Sequence, residues 1–208
     1  MVQIIPAIIT NSQDDLDKKL KQIKKNAKRV QVDIMDGRFV NNKSLLFDFK
    51  IPKGFFIEAH LMHKNPAKWI KKYGSKVNLI IVHYEVVKDN FDKIVRLTGN
   101  RFGLAINPET KVNEIRKFLD KIDLVNILAV NPGKYGGKLI SKTLNKIKEI
   151  KKLNKNIKVE VDGAQDDKTI KESIRKGADF VVSGSFIFNN KRLKPSEAIK
   201  ILRKSAIG

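Results

Sequence analysis

Asn78-Leu79-Ile80-Ile81-Val82-His83 is a short, almost continuous apolar run that stops on a histidine. A strand of a parallel sheet reads this way, because helices cover one of its faces and a packed interior covers the other. Similar runs recur at a spacing of about 25 residues, with amphipathic segments between them, which is the pattern of repeated βα units. The expected strands are 3–9, 29–34, 55–61, 78–83, 101–106, 123–130, 157–161 and 179–183. The expected helices are 13–26, 66–73, 89–98, 111–119, 140–153, 167–176 and 195–204. Asn65-Pro66 and Lys194-Pro195 put proline at a first helical position, and Gly177 follows a helix as its C-cap. The crossover 38–54 has no clear amphipathic helix and is the weakest unit. Eight strands in 208 residues, with no linker or low-complexity stretch, predict one α/β domain over 1–208. That domain is a (β/α)8 TIM barrel with parallel strands. The alternative is an open doubly wound sheet. It is disfavoured because Thr10-Asn11-Ser12-Gln13, and no glycine-rich turn, follows the first strand.

Composition narrows the chemistry. The chain has no cysteine, so disulfides and thiolate metal sites are excluded, and any metal must use His, Asp, Glu or amide oxygen. The start, Met1-Val2-Gln3-Ile4-Ile5-Pro6, lacks the basic region of a signal peptide, and no apolar run reaches the roughly 18 residues of a membrane span. A soluble, cytoplasmic protein with no membrane partner is expected. The formal charge is +21, from 43 Lys+Arg against 22 Asp+Glu. Its lysines recur on outer helical faces (Lys18, Lys19, Lys21, Lys24, Lys25; Lys146, Lys148, Lys151, Lys152) and form no stripe interleaved with aromatics. Nucleic acid would therefore bind only non-specifically, through charge. The same field favours an anionic substrate without identifying one.

In a closed parallel barrel, residues at the C-terminal strand ends project into one mouth. Here they are Thr10, Gln31, Asp33, His60, His83, Glu85, Asn107, Asn131, Asp162 and Ser183. Asp33 and Asp162 each close an apolar run, as two opposed carboxylates able to remove a proton from one face of a carbon and return one to the other. Asp33, His60 and Asp162 are also a ligand set for a divalent metal, with Gln31 as a neutral fourth candidate. A phosphate site is the second constellation. Asn131-Pro132-Gly133-Lys134-Tyr135-Gly136-Gly137, Asp162-Gly163-Ala164 and Ser183-Gly184-Ser185 follow three successive strands. Small residues there let backbone N–H groups approach an anion, and a short helix beginning near Ser185 would add its positive end. Met35 and Met62, each two residues beyond a polar site residue, suit either core filling or an apolar lining over the reacting carbon.

These residues, in this order, resemble the ribulose-phosphate 3-epimerase family. The match includes Ile5-Pro6-Ala7-Ile8-Ile9, Val32-Asp33-Ile34-Met35-Asp36-Gly37 and Ala59-His60-Leu61-Met62 before Asn65-Pro66. It continues through His83-Tyr84-Glu85, Asn107-Pro108, Val130-Asn131-Pro132-Gly133, Glu160-Val161-Asp162-Gly163, and Gly184-Ser185 before Ile187-Phe188. The resemblance implies interconversion of ribulose 5-phosphate and xylulose 5-phosphate at C3, with Asp33 and Asp162 as the acid/base pair around a metal-stabilised enediolate. It implies one divalent metal, Zn²⁺ or Fe²⁺, on Asp33, His60 and Asp162. It implies a sugar phosphate as partner and a homo-oligomer, dimer or larger. Substrate contacts would come from Thr10, His60, Met35, Met62, Asn131 and Gly133, and phosphate contacts from Gly136, Gly137, Gly163, Ala164, Gly184 and Ser185. Departures accompany the match. Gln31 replaces a metal-binding histidine, which makes Mn²⁺ or Mg²⁺ more plausible. Thr10 stands for a serine, Leu128 for a methionine and Ala164 for a glycine. Tyr135 takes a glycine's place, beside a compensating charge on Lys134. The alternatives are an epimerase of another ketose phosphate, such as a hexulose 6-phosphate, or a barrel that has lost catalysis and binds ligand only. A related decarboxylase is disfavoured, since Asp33-Ile34-Met35-Asp36 has no lysine between its aspartates.

Overall fold

A computed structural model describes residues 2–99, 101–133 and 136–207 of the chain. The departures at Lys134 and Tyr135 lie outside the described residues. The strands are β1 (Gln3–Ile8), β2 (Arg29–Asp36), β3 (Lys43–Ser44), β4 (Phe56–Met62), β5 (Leu79–His83), β6 (Phe102–Ile106), β7 (Leu124–Leu128), β8 (Lys158–Asp162) and β9 (Phe180–Ser183). All but β3 are parallel and pair in the ring β1-β2-β4-β5-β6-β7-β8-β9. β1 closes the ring by pairing with β2 (Ala7 opposite Gln31) and with β9 (Gln3 opposite Phe180). Closure removes both sheet edges, and the open doubly wound sheet is thereby excluded.

Two-residue alternation along each strand separates two environments. On β2, Val30, Val32 and Ile34 point outward into the main core, where Leu16, Leu20 and Ile23 of α1 (Gln13–Ile23) meet them. Each such fully buried side chain contributes roughly 1.5–3 kcal/mol by leaving water. The intervening Gln31, Asp33 and Met35 point into the barrel. Parallel register sets them beside Glu58, His60 and Met62 of β4, level by level. Asn126 and Leu128 of β7 are likewise level with Glu160 and Asp162 of β8. These polar layers share the interior with an apolar cluster of Leu79, Ile81, Ala105 and Leu124.

The remaining helices are α2 (Pro66–Tyr73), α3 (Tyr84–Val87), α4 (Phe91–Thr98), α5 (Val112–Ile115), α6 (Asn145–Leu153), α7 (Ile170–Lys176), α8 (Ser185–Phe188) and α9 (Pro195–Ser205). Local chemistry explains their starts. Ser12 accepts from the Asp15 N–H at α1, and Asn65 accepts from Lys68 N–H at α2. Three differences from the sequence reading stand out. The 111–119 segment is one α-turn followed by 3₁₀ helix over Arg116–Lys121, and 140–153 opens as 3₁₀ helix over Ser141–Leu144. In the latter, Thr143 donates to the Ile140 carbonyl at 2.8 Å, a local bond that competes with the α-ladder. The third difference is α3, which follows β5 immediately and had no sequence signal.

The weak crossover 38–54 holds no helix among its residues; it is pinned at β3 instead, antiparallel to β2. Leu45, buried completely at φ +50°, and Phe49, stacked at 6.3 Å on Trp69, anchor it. No helix among the described residues is long and apolar enough to cross a membrane.

Candidate active site

Asp33 lies inside β2, three residues before its end, and Asp162 is the last residue of β8. In the ring, β9 and β1 stand between them, so the two carboxylates converge from separated walls of the mouth. His60 of β4 reaches the same point, and one ligand atom from each of the three lies within 4.8 Å of the others. His60 Nδ1 is 3.4 Å from Asp33 Oδ1 and 3.3 Å from Asp162 Oδ2.

Gln31 sits directly beneath. Its Nε2 donates to Asp33 Oδ1 and to Asp162 Oδ2, both at 2.8 Å, and lies 3.4 Å from His60 Nδ1. Its Oε1 faces the other way, toward Asn126 Nδ2 at 3.5 Å. A metal would need that oxygen, so position 31 presents a hydrogen-bond bridge where a fourth ligand was expected. At the level of Gln31, Asn126 donates to Glu160 at 2.7 Å, and Arg29 holds Glu58 at 2.6 Å. Burial, reinforced by Glu58, keeps Glu160 well above the carboxylate range. The signal for this second layer was in the chain. Gln31/Asp33, Glu58/His60 and Glu160/Asp162 repeat one polar-x-polar spacing at matching levels of three strands.

Electrostatics set the character of the site. Burial pushes the Asp33 carboxyl above its ordinary range; the His60 hydrogen bond opposes this and the charge of Asp162 adds to it. Burial works against a charged His60, but hydrogen bonds to Asp162 and Asp33 outweigh it and raise the imidazole to about 9. A buried carboxylate and a half-buried one thus draw positive charge to one spot. The donor set of Asp33, His60 and Asp162 fits a divalent cation with three protein ligands, and its mixture of carboxylate and imidazole suits Zn²⁺, Fe²⁺ or Mn²⁺.

The same cavity is lined by Met35, Met62 and Leu128, and by Gly133, Gly136, Gly163, Ala164, Gly184 and Ser185. Gly137 lines the adjoining groove with Asp166 and Thr169. Gly163 is required where it stands: its φ is +102°, and a Cβ would collide with the Val130 side chain. Ala164 takes a left-handed φ of +53°, held by Thr169, whose hydroxyl donates to the Ala164 carbonyl at 2.6 Å. Gln165, which sequence reading missed, also lines the cavity; its amide is fixed by Ser173 and by the Gly163 carbonyl.

Two expected residues, Thr10 and Asn131, do not line that cavity. The hydroxyl of Thr10 donates to the Ser12 carbonyl at 3.2 Å within its own turn, and Asn131 is exposed outside the cavity lining. Thr10 is also tied to the β3 segment through Ser44 and Leu45. Ser183 also turns away, donating to the Gln165 carbonyl at 2.6 Å. Among the helical lysines, Lys19, Lys146 and Lys151 are half-buried. Lys19 donates to the Ile9 carbonyl, Lys146 to the Asn107 and Pro108 carbonyls, and Lys151 binds Asp179 at 2.6 Å.

Comparison with known proteins gives concordant results. The family model described as "Ribulose-phosphate 3 epimerase family" matches residues 3–188. The ribulose-phosphate 3-epimerase of Bacillus subtilis (strain 168) is 30% identical over 218 residues, covering 99% of this chain and 100% of its own. That of Aquifex aeolicus (strain VF5) is 32% identical over 200 residues, 89% of each chain. That of Buchnera aphidicola subsp. Baizongia pistaciae (strain Bp) is 36% identical over 184 residues, 81% of this chain and 80% of its own. Among solved structures, KGPDC from Streptococcus mutans superposes with a TM-score of 0.69 at 11% identity, over 99% of this chain and 97% of that one. A 3-hexulose-6-phosphate synthase gives 0.68 at 11%, over 98% of both. At such identities the structural likeness shows the fold alone.

Proposed function

Because the chain belongs to the ribulose-phosphate 3-epimerase family, we propose that it inverts C3 of a ketopentose phosphate, interconverting D-ribulose 5-phosphate and D-xylulose 5-phosphate. The observation that supports this most is the convergence of Asp33 and Asp162 from separated strands onto one point shared with His60. Inversion at a carbon next to a carbonyl requires a base on one face and an acid on the other. One carboxylate removes the C3 proton and the other, entering the cycle protonated, delivers a proton to the opposite face. A positioned base of this kind contributes roughly 10²–10⁴-fold. Burial, which favours the protonated form of Asp33, suits a group that must hold a proton between steps.

Asp33, His60 and Asp162 would hold the divalent cation. When bound, it supplies Lewis-acid stabilisation of the negative charge that develops on the substrate oxygens. Gln31 keeps the two carboxylates at a fixed separation through its paired 2.8 Å bonds. Met35, Met62 and Leu128 exclude water above them, which strengthens every charge interaction in the mouth. The phosphate would rest against Gly136, Gly163, Ala164, Gly184 and Ser185, where small side chains leave backbone N–H groups open to an anion, with Gly133 and Gly137 flanking.

The test is turnover of ribulose 5-phosphate by metal-stripped protein, repeated with Zn²⁺, Fe²⁺, Mn²⁺ and Mg²⁺. The expected result is xylulose 5-phosphate formation restored by at least one of these ions. Absence of turnover under every condition would contradict the proposal.

A further inference from the structure

His83 and Glu85, from the run His83-Tyr84-Glu85 where β5 passes into α3, adjoin the site without a role in the chemistry above. His83 is completely buried, and each of its ring nitrogens has a partner. Nε2 lies 3.0 Å from His60 Nε2, and Nδ1 lies 3.3 Å from Glu85 Oε2. The two imidazoles stack with centroids 5.0 Å apart and planes inclined by 19°. The other carboxylate oxygen, Glu85 Oε1, accepts from the Asn107 N–H at 3.0 Å and from the Thr110 hydroxyl.

The direction of every bond in this chain follows from its far end. A carboxylate only accepts, so the proton between Glu85 and His83 resides on His83 Nδ1. A neutral imidazole with Nδ1–H has a bare lone pair on Nε2. That lone pair faces His60, so His60 donates from its own Nε2–H. His60 is left with Nδ1 turned to Asp33, Asp162 and Gln31, at 3.3–3.4 Å from all three. We propose that Glu85 and His83 are positioning residues for the epimerase reaction, a relay that fixes the ring orientation of His60, with its Nε2–H turned to His83, so that Nδ1 faces the two aspartates. The activity arm of this inference rests on the proposed function; the tautomer arm does not. Partners that orient a site histidine in this way typically change affinity or activity by roughly 10–100-fold when altered.

The substitution Glu85→Gln tests the relay with almost no change of shape. The Asn107 N–H can only donate, so the new amide must keep its oxygen there and turn its NH₂ toward His83 Nδ1. His83 is then forced to carry its proton on Nε2, against the Nε2–H of His60. The chain has only three histidines, His60, His63 and His83. Nitrogen-15 spectra of histidine-labelled protein, assigned with His63→Gln, therefore read the tautomers directly. The unmodified protein should show His83 protonated on Nδ1 and bare on Nε2. Glu85→Gln should move that proton to Nε2 and lower kcat/KM for ribulose 5-phosphate by roughly 10–100-fold. A proton on Nε2 of His83 in the unmodified protein overturns the proposal, and does so even if the variant fails to fold. A tautomer unchanged in Glu85→Gln, or a changed tautomer with kcat/KM within twofold of the original, overturns it as well. If the unmodified protein lacks turnover, the proposed function fails, while the spectra still decide the relay.

Discussion

Gln31 places two N–H groups where two carboxylates converge, which makes it the residue most able to change what this site binds. Gln31→His should add an imidazole ligand and tighten zinc by at least about tenfold, or roughly 1.4 kcal/mol, read by chelator competition. Unchanged affinity would mean that position 31 does not reach the cation. Asp162→Asn should lower turnover by roughly 10²–10⁴-fold with the melting temperature nearly unchanged, since the amide keeps the shape and loses the proton chemistry. A rate close to that of the unmodified protein would refute the two-carboxylate mechanism. Ala164→Gly should stabilise by about 0.5 kcal/mol, the reverse of the usual effect. Relief of a left-handed alanine outweighs the added freedom of the unfolded chain there. Denaturant midpoints would decide it, and a lowered midpoint would show that φ +53° is unstrained. Asp33, His60 and Asp162 were legible because each is a polar residue near the end of an apolar run. The orientation of the Gln31 amide was not, because it depends on Asp162, 131 residues away in the chain. The ties of Thr10 were hidden for a similar reason, since its partner Ser44 belongs to another crossover.

Strands proved the most legible elements. A parallel barrel buries both faces of each strand, and the resulting runs, such as Leu79–His83, stand out from lysine-rich helices. The crossover 38–54 was legible only as the absence of a helix. Its order comes from tertiary anchors, Leu45 and Phe49, which no local period reveals. Leu45→Ala should therefore cost about 2–4 kcal/mol, at the scale of a buried leucine elsewhere, although it lies in a loop. A change under about 1 kcal/mol in urea titration would show the loop to be only loosely attached. The short α3 was invisible because four residues are too few for a periodic pattern, yet it carries Glu85. Burial opposes the charge of Glu85, but hydrogen bonds from His83, Thr110 and Asn107 bring its pKa from 4.5 to about 2. A depressed carboxylate stabilises the fold above its unfolded pKa. Stability on the order of 2 kcal/mol should therefore be present above pH 4.5 and be lost as pH falls toward 2. The Glu85→Gln protein should lack that component of its acid unfolding profile; an identical profile would contradict the assignment.

At the scale of the whole molecule, closure of the ring explains both what could and what could not be read. The count and spacing of apolar runs implied eight strands, so the barrel followed. Which polar groups would stack inside it depended on register, and register is a property of the closed sheet rather than of any one strand. The polar interior also ties stability to cations. His60 is raised from 6.5 to about 9, so its contribution is complete below pH 6.5 and lost as pH rises through 9. Metal-free protein should accordingly melt at lower temperature at about pH 9.5 than at pH 6.5, and a saturating divalent cation should remove most of that fall. The claim that joins fold to function is that two walls of the barrel supply two separate proton-transfer groups. Deuterium incorporation at C3 tests it most directly, with ribulose 5-phosphate turned over in D₂O and stopped at low conversion. Two carboxylates on opposite faces predict deuterium at C3 of the xylulose 5-phosphate formed and protium retained in the recovered ribulose 5-phosphate. Equal labelling of both sugars, or no label in the product, would contradict it.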